Sequence, residues 1–171
     1  MAVLLAAMVG VLSLLAPAST AAQDRPPAQS TKQKAKPMTA HATGDFAVKL
    51  NPDGDLDKAE GATLGRMTID KQFHGDLEGT SRGQMLTAMT DVKGSAGYVA
   101  IERITGPLQG RTGSFVMQHS GTISVAGPVQ SITIVPDSGT GQLVGISGQM
   151  IIKIADGKHS YDLEYKLPEA H

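Results

Sequence analysis

The chain has no cysteine and no tryptophan, and only three Phe and three Tyr among its 171 residues. Without cysteine there is neither a disulfide framework nor a thiolate metal site. Charge of one sign is lacking too. Fifteen Lys or Arg stand against 16 Asp or Glu, for a formal net charge of −1, and the balance turns mildly acidic from Met38 onward. With so few aromatics, that balance leaves no footprint for nucleic acid. A membrane-spanning helix is also missing from the sequence pattern. The longest apolar run, Val3 to Leu15, is broken only by Gly10 and Ser13, but falls short of the ~20 residues that a span requires. No later window carries a sustained helical stripe.

What is present divides the chain in three. The run from Val3 is followed by Ala16-Pro17-Ala18 and Thr20-Ala21-Ala22, small residues of the kind a signal peptidase cleaves. Residues 1–22 therefore read as a secretory leader, and the mature protein as secreted or periplasmic. No Lys or Arg precedes the run, which leaves a start at Met38, and a cytoplasmic protein, as the alternative. Residues 23–37, QDRPPAQSTKQKAKP, have no large apolar side chain and read as a flexible linker. Residues 38–171 are expected to fold as one domain.

Within that domain alternation dominates. Met67, Ile69 and Phe73 fall on one face, with Thr68, Asp70 and Gln72 on the other; Tyr161, Leu163, Tyr165 and Leu167 oppose Ser160, Asp162, Glu164 and Lys166. Similar segments lie near 40–50, 77–91, 96–106, 113–124, 129–136 and 148–155, and Asp156-Gly157 is the strongest hairpin signal. About eight strands with one apolar and one polar face predict an all-β fold, an antiparallel closed barrel rather than an open sandwich.

A glycine pattern recurs. Leu108-Gln109-Gly110-Arg111-Thr112-Gly113 and Leu143-Val144-Gly145-Ile146-Ser147-Gly148 share L-x-G-x-[ST]-G, and Leu77-Glu78-Gly79-Thr80-Ser81-Arg82-Gly83 is a looser copy. Recurrence at three turns predicts bent backbone rather than one catalytic loop. The segments YVAIERITG (98–106), GPLQGRTGSFVMQHSGT (106–122) and VPDSGTGQLVGISG (135–148) resemble an uncharacterised bacterial family known only as a domain of unknown function. That family is placed with the allene oxide cyclase-like barrels, and DSGTGQLVGISGQM is similar to the glycine-rich hairpin of allene oxide cyclases and dirigent proteins. The resemblance implies an eight-stranded antiparallel barrel, lipocalin-like in outline. It carries no catalytic residue across. The plant barrels are trimers, so it also implies a homo-oligomer without assigning an interface.

Several motifs are set aside. Asp137-Ser138-Gly139-Thr140 mimics an aspartic-protease turn but occurs once, whereas that chemistry needs two carboxylates. Gly79-Thr80-Ser81-Arg82-Gly83 fits G-x-S-x-G but lacks the helix that a nucleophile elbow precedes. Gly139-Thr140-Gly141 with Gly145 misses the dinucleotide fingerprint by one residue and lacks its helix. The histidines (His41, His74, His119, His159 and His171) show no H-x-H or H-x-x-x-H spacing, so no metal and no other cofactor is expected.

The remaining signal is polar residues on apolar faces. Lys71 shares the face of Met67, Ile69 and Phe73; Glu102 that of Tyr98, Ala100 and Ile104; His119 that of Phe115 and Met117. Ionisable groups directed inward must pair or hydrogen-bond, so Lys71, Glu102 and His119 are expected to meet one another, a tyrosine hydroxyl or water. Such a patch in a barrel pocket could move a proton through Glu102 or His119. Lys71, Tyr98, Glu102, Phe115, Met117, His119, Tyr161 and Tyr165 are the expected ligand-binding residues, the last two as an aromatic wall. Arg111, in a turn, is a weaker candidate for holding a carboxylate. Three functions follow as alternatives: a barrel binding a small apolar or amphipathic molecule, an isomerase or cyclase, and an interaction module with a filled core.

Overall fold

A computed structural model describes residues 39–168. The segments read as leader and linker lie outside the described residues. The chain runs through β1 (Thr39–Pro52), β2 (Asp57–Ala59), β3 (Ala62–Gly75), β4 (Gly79–Thr90), β5 (Ala96–Leu108), β6 (Arg111–Ser124), β7 (Gly127–Ile134), β8 (Ser147–Ala155) and β9 (Lys158–Lys166). One 3₁₀ turn, Gly141–Leu143, precedes β8. The strands neighbour one another as β1-β9-β8-β7-β6-β5-β4-β3-β2, and β1 also pairs with β3. That last pairing, from Gly44↔Gly75 to Pro52↔Met67, closes eight antiparallel strands into a barrel and leaves β2 as a short flap on β3. Closure removes the strand edges that would otherwise template association.

The alternation read from the sequence sets which face turns inward. Phe46, Ile69, Phe73, Ala100, Ile104, Phe115, Met117, Ile132, Met150 and Leu163 are buried, and their chain neighbours point out. At Asp156-Gly157 both residues have positive φ, 52° and 75°, the turn that matches strand twist in a two-residue hairpin.

Four of the repeat's glycines serve close backbone passage. A Cβ at Gly79 would strike the Thr105 carbonyl, at Gly83 that of Ile101, at Gly113 that of Thr140, and at Gly148 that of Glu164. The leucines that open the three copies, Leu77, Leu108 and Leu143, are fully buried together at one end.

That end is stoppered by the loop after β7. Strand β6 pairs with β7 only from Met117 to Ser124, so its first half needs other partners. The loop supplies them. Ser138 Oγ accepts from Val116 N at 3.0 Å, Thr140 Oγ1 from Ser114 N at 3.0 Å, and Gln142 Oε1 from Thr112 N at 2.8 Å. Leu143 and Ile146 then insert into the core. The Asp-Ser-Gly-Thr turn is thus an irregular edge for β6, its hydroxyls occupied by backbone groups.

The opposite half is not filled. Strands β7 and β8 share one registered pair, Thr133↔Gln149, and then diverge. Where Gln130 would stand across from Ile152, its side-chain amide donates to the Ile152 carbonyl at 2.9 Å. A side chain spans the gap where backbone ladders operate elsewhere.

Candidate functional site

Between the packed and open halves lies a layer of polar side chains. β3 carries Lys71 inward, directly across from Ser81 on β4. β5 carries Glu102, paired in register with Met117 of β6 and preceded by Ala100 opposite His119. Glu102 is 0 % exposed, His119 4 % and Lys71 8 %. Lys71 Nζ donates to Glu102 Oε1 at 2.7 Å and Ser81 Oγ donates to Oε2 at 2.6 Å. His119 Nε2 stands 2.9 Å from the same Oε1, but without the alignment of a hydrogen bond. The Lys71 ammonium also lies over the Phe46 ring, 4.9 Å from its centroid, a cation–π contact in a dry setting.

Burial alone would push the Glu102 carboxyl up. The His119 ring and the Lys71 ammonium oppose that and prevail, holding it down to about 2. The group is therefore a carboxylate throughout the neutral range. Burial, and secondarily the Glu102 charge, raise the Tyr98 hydroxyl.

Above this layer opens a cavity of about 450 Å³. Its walls are apolar: Val48, Leu50, Met67, Ile69, Met85, Met89 and Ile152, with Ile154 and Pro128 toward the mouth. Lys71 and His119 reach its floor and Tyr98 its wall, whereas Glu102 does not line it. The Tyr98 ring lies flat over Gly121, its cross-strand partner. A second, shallower depression of about 620 Å³ runs over Leu64, Leu86 and Val99 and shares only part of the wall, including Tyr98 and Gln130.

Of the residues expected at a ligand site, the structure thus brings Lys71, Glu102 and His119 together and sets Tyr98 beside them. Phe115, Met117, Tyr161 and Tyr165 are elsewhere, buried in the filled half. Tyr161 does not form an aromatic wall. Its hydroxyl accepts from Leu77 N at 2.9 Å and donates to the His74 carbonyl at 3.3 Å. Tyr165 donates to Gln109 Oε1 at 2.7 Å, closing the same end. The reason is depth: all these positions face inward, but the cavity occupies one end only. Arg111 is exposed at the start of β6. Three contributors, Ser81, Met85 and Met89, escaped the sequence reading. Ser81 sat inside a motif rejected for catalysis, and its place opposite Lys71 depends on register. Met85 and Met89 follow Ser81 on the same alternating face, a signal that was available. Among the described residues no group of three or more His, Asp or Glu is arranged to hold a metal ion.

A family model, described as a protein of unknown function (DUF3224), matches residues 42–165. The chain belongs to the DUF3224 family. A solved DUF3224 protein of unknown function from Shewanella oneidensis MR-1 is similar at 46 % identity, with a TM-score of 0.72; the match covers 78 % of this chain and 100 % of that one. No curated protein matches. The resemblance to a domain-of-unknown-function family read from the glycine segments therefore holds across residues 42–165, and the barrel fold with it.

Proposed function

We propose that this DUF3224 protein binds a small apolar or amphipathic molecule inside the open half of its barrel. One observation carries the reading: the barrel is filled to the Lys71–Glu102–His119 layer and hollow above it. A barrel of eight strands has an interior just wide enough for its own side chains to fill. Here they leave about 450 Å³, within the ~300–1,000 Å³ of small-molecule sites. The lining supports an adaptable apolar occupant, since Met67, Met85 and Met89 are unbranched and repack readily. A filled interaction module is disfavoured by the same void. An isomerase or cyclase is a narrower use of the same pocket; of the two proton-transfer candidates, Glu102 and His119, His119 is the one that reaches the cavity. The leader-like segment supports an exported carrier.

Native mass spectrometry of protein purified from its own host is expected to reveal an added mass that denaturation releases. The stripped protein is expected to take up the uncharged dye N-phenyl-1-naphthylamine with a rise in fluorescence. No added mass together with no dye uptake would overturn the proposal.

A further inference from the structure

We infer that the cavity selects an uncharged ligand, an apolar molecule bearing one hydrogen-bond-accepting oxygen such as a ketone carbonyl, which seats on Lys71 and His119. The inference rests on the ligand-binding reading and specifies what that pocket accepts.

The floor offers the Lys71 ammonium as a donor, and the one carboxylate of the layer is closed to the cavity. Both Glu102 oxygens are occupied, Oε1 by Lys71 and Oε2 by Ser81, and the carboxylate does not open onto the cavity. An ammonium has three N–H groups; one is directed at Glu102, and Lys71 also lines the cavity. Buried donors without acceptors are costly, so an occupant that supplies an oxygen is favoured over one that does not.

Charge decides between acceptors. Lys71 is the only Lys, Arg, Asp or Glu among the residues lining the cavity, and its charge is already balanced by Glu102 at 2.7 Å. A ligand carboxylate would add a second negative charge to a nearly dry site whose cation is taken. Like charges in such a site disfavour one another strongly. A neutral carbonyl accepts the same N–H groups without that repulsion. Thr87, Tyr98, Gln130 and His159 also line the cavity, so beyond its imidazoles the wall adds no cation to offset an acid.

The test uses displacement of N-phenyl-1-naphthylamine at neutral pH by 2-decanone, decane and decanoate. The ketone is expected to displace the dye, and decanoate to bind at least about tenfold more weakly than the ketone. In Lys71→Met/Glu102→Gln, which removes donor and counter-charge together, ketone affinity should fall about tenfold, the loss of one hydrogen bond to a charged donor, while decane affinity holds. Circular dichroism establishes that this variant is folded. Should it not fold, His119→Phe and the wild-type ketone-to-decanoate ratio carry the test. Decanoate binding as tightly as the ketone would overturn the inference and leave a ligand-binding cavity. So would equal losses for ketone and decane in the variant. If none of the three displaces the dye and the dye itself does not bind, the cavity reading fails as well.

Discussion

Glu102 is the residue on which the polar layer depends, because it accepts from both Lys71 and Ser81 and stands against His119. A buried pair is costly to break even where it adds little over an apolar replacement. Glu102→Gln alone strands the Lys71 ammonium and is expected to destabilise the fold at neutral pH by about 3 kcal/mol. Adding Lys71→Met should restore most of that loss. Urea denaturation of the two variants checks this, and equal stabilities would refute it. Acid should act on the same group. Its carboxyl is held to about 2 in the fold against 4.5 ordinarily, so its contribution is complete above the higher value and vanishes as pH falls through the lower. The urea midpoint of the native chain should drop between about pH 5 and pH 2, with on the order of 3 kcal/mol attributable to this group. The double variant should drop less. That Lys71, Glu102 and His119 face inward was legible, since each breaks an otherwise apolar alternating face. That Ser81 completes the set was not, because its partner lies on another strand, across a register no local pattern states.

Among the strands, β7 is the weak member of the wall. On one side it pairs with β6 from Gly127 to Ile134, and on the other it meets β8 in register only at Thr133. β5 and β6, by contrast, pair from Ala96 to Leu108. Backbone amides of β7 and β8 that face this seam lack ladder partners, and Gln130 bridges it with a single side-chain bond. Amide hydrogen exchange there is expected to run at least about tenfold faster than at the β5–β6 ladder; equal protection would contradict the seam. Both strands were anticipated from alternation. Their divergence was not, since it arises from the long loop after Ile134, which turns aside to serve β6 before β8 begins. The glycines of that loop were read as structural, and the Leu143 and Thr112 carbonyls that pass close to Gly139 and Gly141 give the reason.

At the scale of the whole molecule, the barrel is two unequal halves on either side of one polar layer, a stoppered core and an open apolar chamber. Export would present that chamber outside the cytoplasm. If the leader is processed, amino-terminal sequencing of the mature protein should begin between Ser19 and Gln23; a start at Met38 would overturn export. Composition and alternation by themselves determined the fold class, the approximate strand positions and the inward faces, because side-chain direction along a strand repeats every two residues wherever the chain goes. Only the tertiary structure decided which inward residues share a level. Phe115 and Met117 occupy the same face as His119, yet only His119 reaches the cavity, and Tyr161 and Tyr165 seal the far end instead of lining a pocket. Depth within a barrel follows from strand stagger and closure, which relate residues far apart in the chain, and no local spacing encodes that relation.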